Sequence, residues 1–135
     1  AEHGDGESRI VRLVEGVRGS VAFEVELLPT FDYARVPAVF EAVADGLMAR
    51  AGSEALFLRA PVPLQVEGGR ARASVTVREG DRFWLTLDYA SGSQVAEWPP
   101  AAPRDCEVAL AATLAAWREW LSACTYQGAY GPLVR

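Results

Sequence analysis

The chain has no lysine, one histidine and two cysteines, and each scarcity closes off a class of chemistry. All 13 basic residues are arginines, spread from Arg9 to Arg135 without clustering, and the formal charge is −5. A nucleic-acid interface normally presents a basic patch, so nucleic acid is excluded as a partner. Without lysine there is no P-loop, and Gly4-Asp5-Gly6 and Gly16-Val17-Arg18-Gly19 lack the strand-to-helix setting of a phosphate cradle. His3 lies near the start of the sequence without a partnering nucleophile or ligand, so it reads as an exposed residue. A serine-histidine-aspartate system would have to use it, and no nucleophile elbow is present. No Cys/His cluster exists, so no metal site is expected. No cofactor motif is found either. No apolar run approaches the ~18 residues of a membrane span.

Cys106 and Cys124 flank a helical pattern. Eighteen helical residues cover about 27 Å, whereas a disulfide needs Cα atoms within about 7 Å. Two free thiols fit a reducing compartment, and the expected location is cytoplasmic. The polar, acidic opening Ala1–Glu7 does not read as a signal peptide.

The rest of the sequence is mostly strand. The composition, half hydrophobic and 23% charged, is that of an ordinary globular domain. Ile10–Val14 reads as a strand. Ser20–Pro29 alternates, with Val21, Phe23, Val25 and Leu27 on one face and Glu24 and Glu26 on the other. Thr30–Arg35 reads as an extended aromatic stretch. Ala38–Arg50 is ambiguous, since Val39, Phe40, Val43 and Leu47 have helical spacing, but two strands separated by Asp45-Gly46, a hairpin dipeptide, are the preferred reading. Glu54–Ala60 is another strand, and Pro61 and Pro63 restrict the next segment to an edge or turn. Gly68-Gly69 marks a hairpin into Arg70–Arg78, and Gly80-Asp81 turns the chain into Arg82–Tyr89. Short strands between Gly and Pro signals indicate an antiparallel β-sandwich. Residues 90–104 read as a linker rich in Pro, Ser and Ala. Asp105 is then the expected N-cap of a single C-terminal α-helix. Its stripe is Leu110, Leu114, Trp117, Leu121 and Cys124, widened by Ala109, Ala112, Ala116 and Trp120.

Candidate chemistry is sparse. A glycosidase needs two carboxylates, but Glu24 and Glu26 share a face expected to be wet. Trp84, Asp88, Tyr89 and Trp98 are the weak candidates for binding a glucoside, because aromatic rings beside a carboxylate suit sugars. Leu114, Trp117, Trp120, Leu121, Tyr126 and Tyr130 form an apolar surface expected to pack between domains. The alternative readings are a stand-alone carbohydrate-binding sandwich and a module that self-associates through its helix.

Four stretches in series resemble glycoside hydrolase family 15, the bacterial glucoamylase- and trehalase-type enzymes. Arg9–Gly19 (RIVRLVEGVRG) resembles its R-x-V-E-G-x-x-G stretch. Val25–Arg35 (VELLPTFDYAR) is similar to its R-F-D-Y-G/A-R strand, and Leu56–Leu64 (LFLRAPVPL) to its next hairpin. Ala115–Tyr130 (AAWREWLSACTYQGAY) resembles its W-R-x-W … Y-x-G-x-Y linker helix. The resemblance implies a β-supersandwich over residues 1–98, a linker and helix over 99–125, and the start of a helical barrel over 126–135. It also implies that an inverting pair of glutamates sits in that barrel. None of the family's catalytic glutamates has a counterpart here, so no catalytic residue is assigned.

Overall fold

A computed structural model describes residues 8–96 and 103–123. The chain divides into two compact units, residues 1–100 and 101–135. Among the described residues the first contains the strands β1 (Ser8–Glu15), β2 (Ser20–Leu27), β3 (Val39–Val43), β4 (Gly46–Ala51), β5 (Glu54–Arg59), β6 (Gln65–Glu67), β7 (Arg70–Arg78) and β8 (Arg82–Ser91). The second contains α1 (Pro103–Ser122).

Two antiparallel sheets form, one in the order β1-β8-β5-β4-β3 and one in the order β2-β7-β6. The register of the smaller sheet arises directly from alternation. Val21 faces Val77, Phe23 faces Val75, Val25 faces Ala73 and Leu27 faces Ala71, so every apolar residue of β2 on this face meets an apolar one of β7. The opposite face is polar, and Glu26 there pairs with Arg72 and with Arg70 at 3.5 Å. The rings of Phe23 and Phe83, one from each sheet, stack with centroids 6.2 Å apart. That contact identifies the facing surfaces of the sandwich. Leu47, Ala49 and Leu58 of the larger sheet are buried as well.

The larger sheet also carries a core cluster of its own. Met48, Ala55, Phe57 and Ala90 group together, with Val43 and Val95 packed against them. A short 3-10 turn at Gly92–Ala96 supplies Val95.

Two glycines are required by close approach. At Gly16 an added Cβ would stand 1.7 Å from the Arg78 carbonyl oxygen. The Gly16 amide donates to the Asp81 carbonyl at 2.8 Å, and the Gly80 amide donates back to the Gly16 carbonyl at 2.9 Å. These bonds tie the β1–β2 connection to the β7–β8 connection, two places where the chain passes between sheets. At Gly46 an added Cβ would stand 2.1 Å from the Leu58 carbonyl oxygen. The β3–β4 hairpin therefore places Ala44 and Asp45 in the loop, with Asp45 at φ 63°, and Gly46 pairs with Val43 inside the ladder.

Three details differ from expectation. The stretch Thr30–Arg35 is not extended. Asp32, Tyr33 and Ala34 have φ of 45°, 54° and 65°, a left-handed turn closed by an Arg35 amide bond to the Asp32 carbonyl at 3.1 Å. Aromatic periodicity carries no information on backbone handedness, so the sequence pattern could not show this. β8 runs on to Ser91, beyond the expected end at Tyr89. The helix starts at Pro103, whose fixed φ and absent N–H suit a first-turn position, and Asp105 lies in the first turn instead of capping it. An acidic residue there is favourable to the helix dipole.

Candidate functional site

Helix α1 is unusual in how little of it is covered. Of its side chains described, Cys106 is buried and Leu121 is half-buried. At 100° per residue, Leu110, Leu114, Trp117 and Leu121 fall within about 60° of one another, with Trp120, Ala109 and Ala116 along one flank. Trp117 is 57% exposed and Trp120 is 65% exposed. Leu110 and Leu114 are also exposed. The two indoles meet edge to face, centroids 5.5 Å apart and planes at 88°, a geometry that suits the ring quadrupoles. Each of these large side chains forgoes about 1.5–3 kcal/mol while it stays in water. The helix end tightens into a 3-10 turn: the Ala123 amide donates to the Trp120 carbonyl at 3.2 Å. The Ser122 hydroxyl donates to the Glu119 carbonyl at 2.6 Å. Tyr126 and Tyr130, expected to extend this surface, lie outside the described residues, as does Cys124.

The candidate sugar-binding residues are separated by the pleat of β8. Trp84 and Asp88 are an even number of residues apart and share one face; Tyr89 points to the other. Asp88 is fully buried. Its carboxylate pairs with Arg9 from β1 and lies 3.6 Å from an Arg59 guanidinium nitrogen of β5. Those two arginine side chains are themselves only 17% and 14% exposed. The arrangement joins three strands of one sheet through a charge cluster removed from water. Trp84 is half-buried, and the Arg82 guanidinium sits 5.7 Å from its ring centroid, within cation–π range. Arg82 in turn bonds Glu15 at 3.1 Å. Tyr89 donates its hydroxyl to Glu54 at 2.7 Å, and that bond to a carboxylate raises the phenol above its ordinary value of 10.0. Trp98 lies outside the described residues. The structure thus spreads Trp84, Asp88 and Tyr89 over two faces and encloses the carboxylate. Arg9 and Arg59, the partners that explain Asp88, belong to distant strands, and no local pattern announces them.

Elsewhere the sandwich has an apolar slot of about 170 Å³, lined by Ile10, Arg12, Val25, Glu26, Leu27, Leu58, Leu85, Thr86 and Leu87. It lies between β1 and β2, the edge strands of the two sheets. Among the described residues, no group of three or more His, Cys, Asp or Glu side chains could hold a metal ion. No described helix is long and apolar enough to cross a membrane.

The chain is similar to two curated proteins. It is 29% identical over 126 residues to "Trehalase" from Mycobacterium tuberculosis (strain ATCC 25618 / H37Rv). The same identity and length hold for "Trehalase" from Mycolicibacterium smegmatis (strain ATCC 700084 / mc(2)155). Each match covers 87% of this chain and 18% of the relative, so the chain spans less than a fifth of the length of these relatives. No family model matches the chain, and no solved structure matches it. The relationship to trehalases is distant and partial.

Proposed function

We propose that this chain is the β-sandwich and linker-helix portion of a trehalase-like hydrolase of glycoside hydrolase family 15. In this reading it takes no catalytic part. It braces a helical-barrel domain that carries the catalytic glutamates and cleaves an α-glucoside. The observation that carries the reading is the uncovered apolar face of α1, combined with similarity to less than a fifth of two trehalases. A helix with two exposed tryptophans gains little by standing alone; against a second apolar surface each indole contributes burial energy. The fully enclosed Asp88 cluster supports a bracing role, since it stiffens the sheet and offers no open carboxylate to a substrate.

The test is a polypeptide extended along its reading frame beyond Arg135. Trehalose hydrolysis is expected in the extended protein and not in the 135-residue chain. Trp117→Glu with Trp120→Glu should lower the activity and the melting temperature of the extended protein, while leaving the sandwich of the short chain folded. A reading frame that encodes no helical domain, or full activity in the double variant, contradicts the proposal.

A further inference from the structure

The connection from β2 to β3 combines an unusual backbone with exposed apolar side chains. Three successive non-glycine residues, Asp32, Tyr33 and Ala34, occupy the left-handed region. Each brings its Cβ too close to the next carbonyl oxygen, and runs of such residues are rare. Strain of this kind persists only where the surroundings hold it, and it concentrates at binding sites. Here the surroundings do hold it. Phe31, 6% exposed, anchors the turn in the core, and a bridge between Phe31 and Val36 closes its base. The result is a stiff convex tip that carries Tyr33 at 93% exposure. Leu28, Val36 and Val39, nearby in the chain, are exposed as well. Asp32 and Arg35 of the same turn approach to 3.9 Å, and each side chain is at least half exposed.

A convex tip does not suit a small ligand, which binds where most of its surface can be buried. It suits a concave protein surface, where a rigid tyrosine is a preferred anchor. The sandwich itself offers such a surface. The slot between β1 and β2 has about 170 Å³, with Ile10, Val25, Leu27, Leu58, Leu85 and Leu87 as its apolar walls. A closed apolar cavity of about 150 Å³ accepts benzene, so the slot accepts the tyrosine ring. Arg12 and Glu26 also line it. Arg12 complements Asp32 of the tip in sign and, among the described residues, makes no ion pair, whereas Glu26 is already paired with Arg70 and Arg72.

The geometry points to a second copy of this chain as the occupant: Tyr33 of each copy enters the slot of the other. Leu27 in the slot precedes Tyr33 by six residues, so tip and slot are no more than roughly 21 Å apart. Two elements that close together can exchange reciprocally about one two-fold axis, which gives a closed dimer and not a filament. The tip buries less than a standard interface, so the dimer is weak, with a dissociation constant on the order of 100 μM. The inference does not depend on any helical partner domain.

Sedimentation equilibrium of the 135-residue chain between about 10 μM and 1 mM tests it, a range that brackets that constant. Wild type should pass from monomer to dimer. Tyr33→Ala empties the tip and Ile10→Trp fills the slot; each alone should remain monomeric, with circular dichroism confirming the fold. An equimolar mixture of the two retains only one of the two tip–slot contacts and should associate far more weakly than wild type. Arg12→Glu should weaken the dimer about tenfold, and adding Asp32→Arg should restore it. A wild type that is monomeric throughout overturns the inference. So does a dimer that survives Tyr33→Ala but is lost in Trp117→Glu/Trp120→Glu, which would place the contact on α1. A mixture that associates as tightly as wild type also overturns it.

Discussion

Asp88 shows how a residue's surroundings outweigh its neighbours in sequence. Beside Trp84 and Tyr89 it reads as part of a sugar platform, yet its carboxylate is enclosed between Arg9 and Arg59. Removing one member of a buried ion cluster leaves the others charged and unpaired, at a cost of about 3–5 kcal/mol. Asp88→Ala should therefore lower the unfolding free energy by about that amount in a guanidinium titration. A loss below about 1 kcal/mol would mean that the cluster is hydrated and unimportant to the fold. Glu26 supplies a pH effect of smaller size. Its hydrogen bond to Arg72, with the charge of Arg70 nearby, holds its carboxyl below the ordinary 4.5. A depressed carboxyl stabilises the folded state above its unfolded value, and this contribution is lost as pH falls through the folded value. Glu26→Gln should therefore reduce the fall in urea midpoint between about pH 6 and pH 3. An unchanged fall would show that the pair has no weight in acid stability. Neither effect was legible in the sequence beyond the placement of Glu26 on a wet face, because both depend on partners from other strands.

Elements were the scale at which sequence spoke most clearly. The alternation of β2 and β7 places Val21, Phe23, Ala73 and Val77 on matching faces, since a period of two with one buried face admits a single register. Hairpins at Asp45-Gly46 and Gly68-Gly69 are local features, and both form, the first displaced by one residue because Gly46 is needed inside the ladder for its approach to Leu58. The apolar stripe of α1 is likewise a matter of spacing within one segment. The failure was the turn at Asp32–Ala34, whose handedness no hydrophobic pattern encodes. It is imposed from outside by the burial of Phe31 and the Phe31–Val36 bridge. A sequence rule that forbids consecutive left-handed residues loses here to tertiary anchoring, and that loss is what makes the tip conspicuous.

For the whole molecule, the expectation of an antiparallel sandwich followed by one helix holds. The strand order is another matter, because no local signal dictates it. β1 pairs with β8, the last strand of the sandwich, and Ser8 stands opposite Tyr89. The network around Gly16 joins the two, since there the crossings from β1 to β2 and from β7 to β8 bond to each other. Two compact units then remain, a sandwich with its own core and a helix with an uncovered apolar face. We propose that this face is a docking surface for a second body. Amide hydrogen exchange along α1, compared between the 135-residue chain and the polypeptide extended beyond Arg135, tests that claim most directly. Rapid exchange from Leu110 to Leu121 is expected in the short chain and strong protection in the extended one. Equal exchange in both would contradict it.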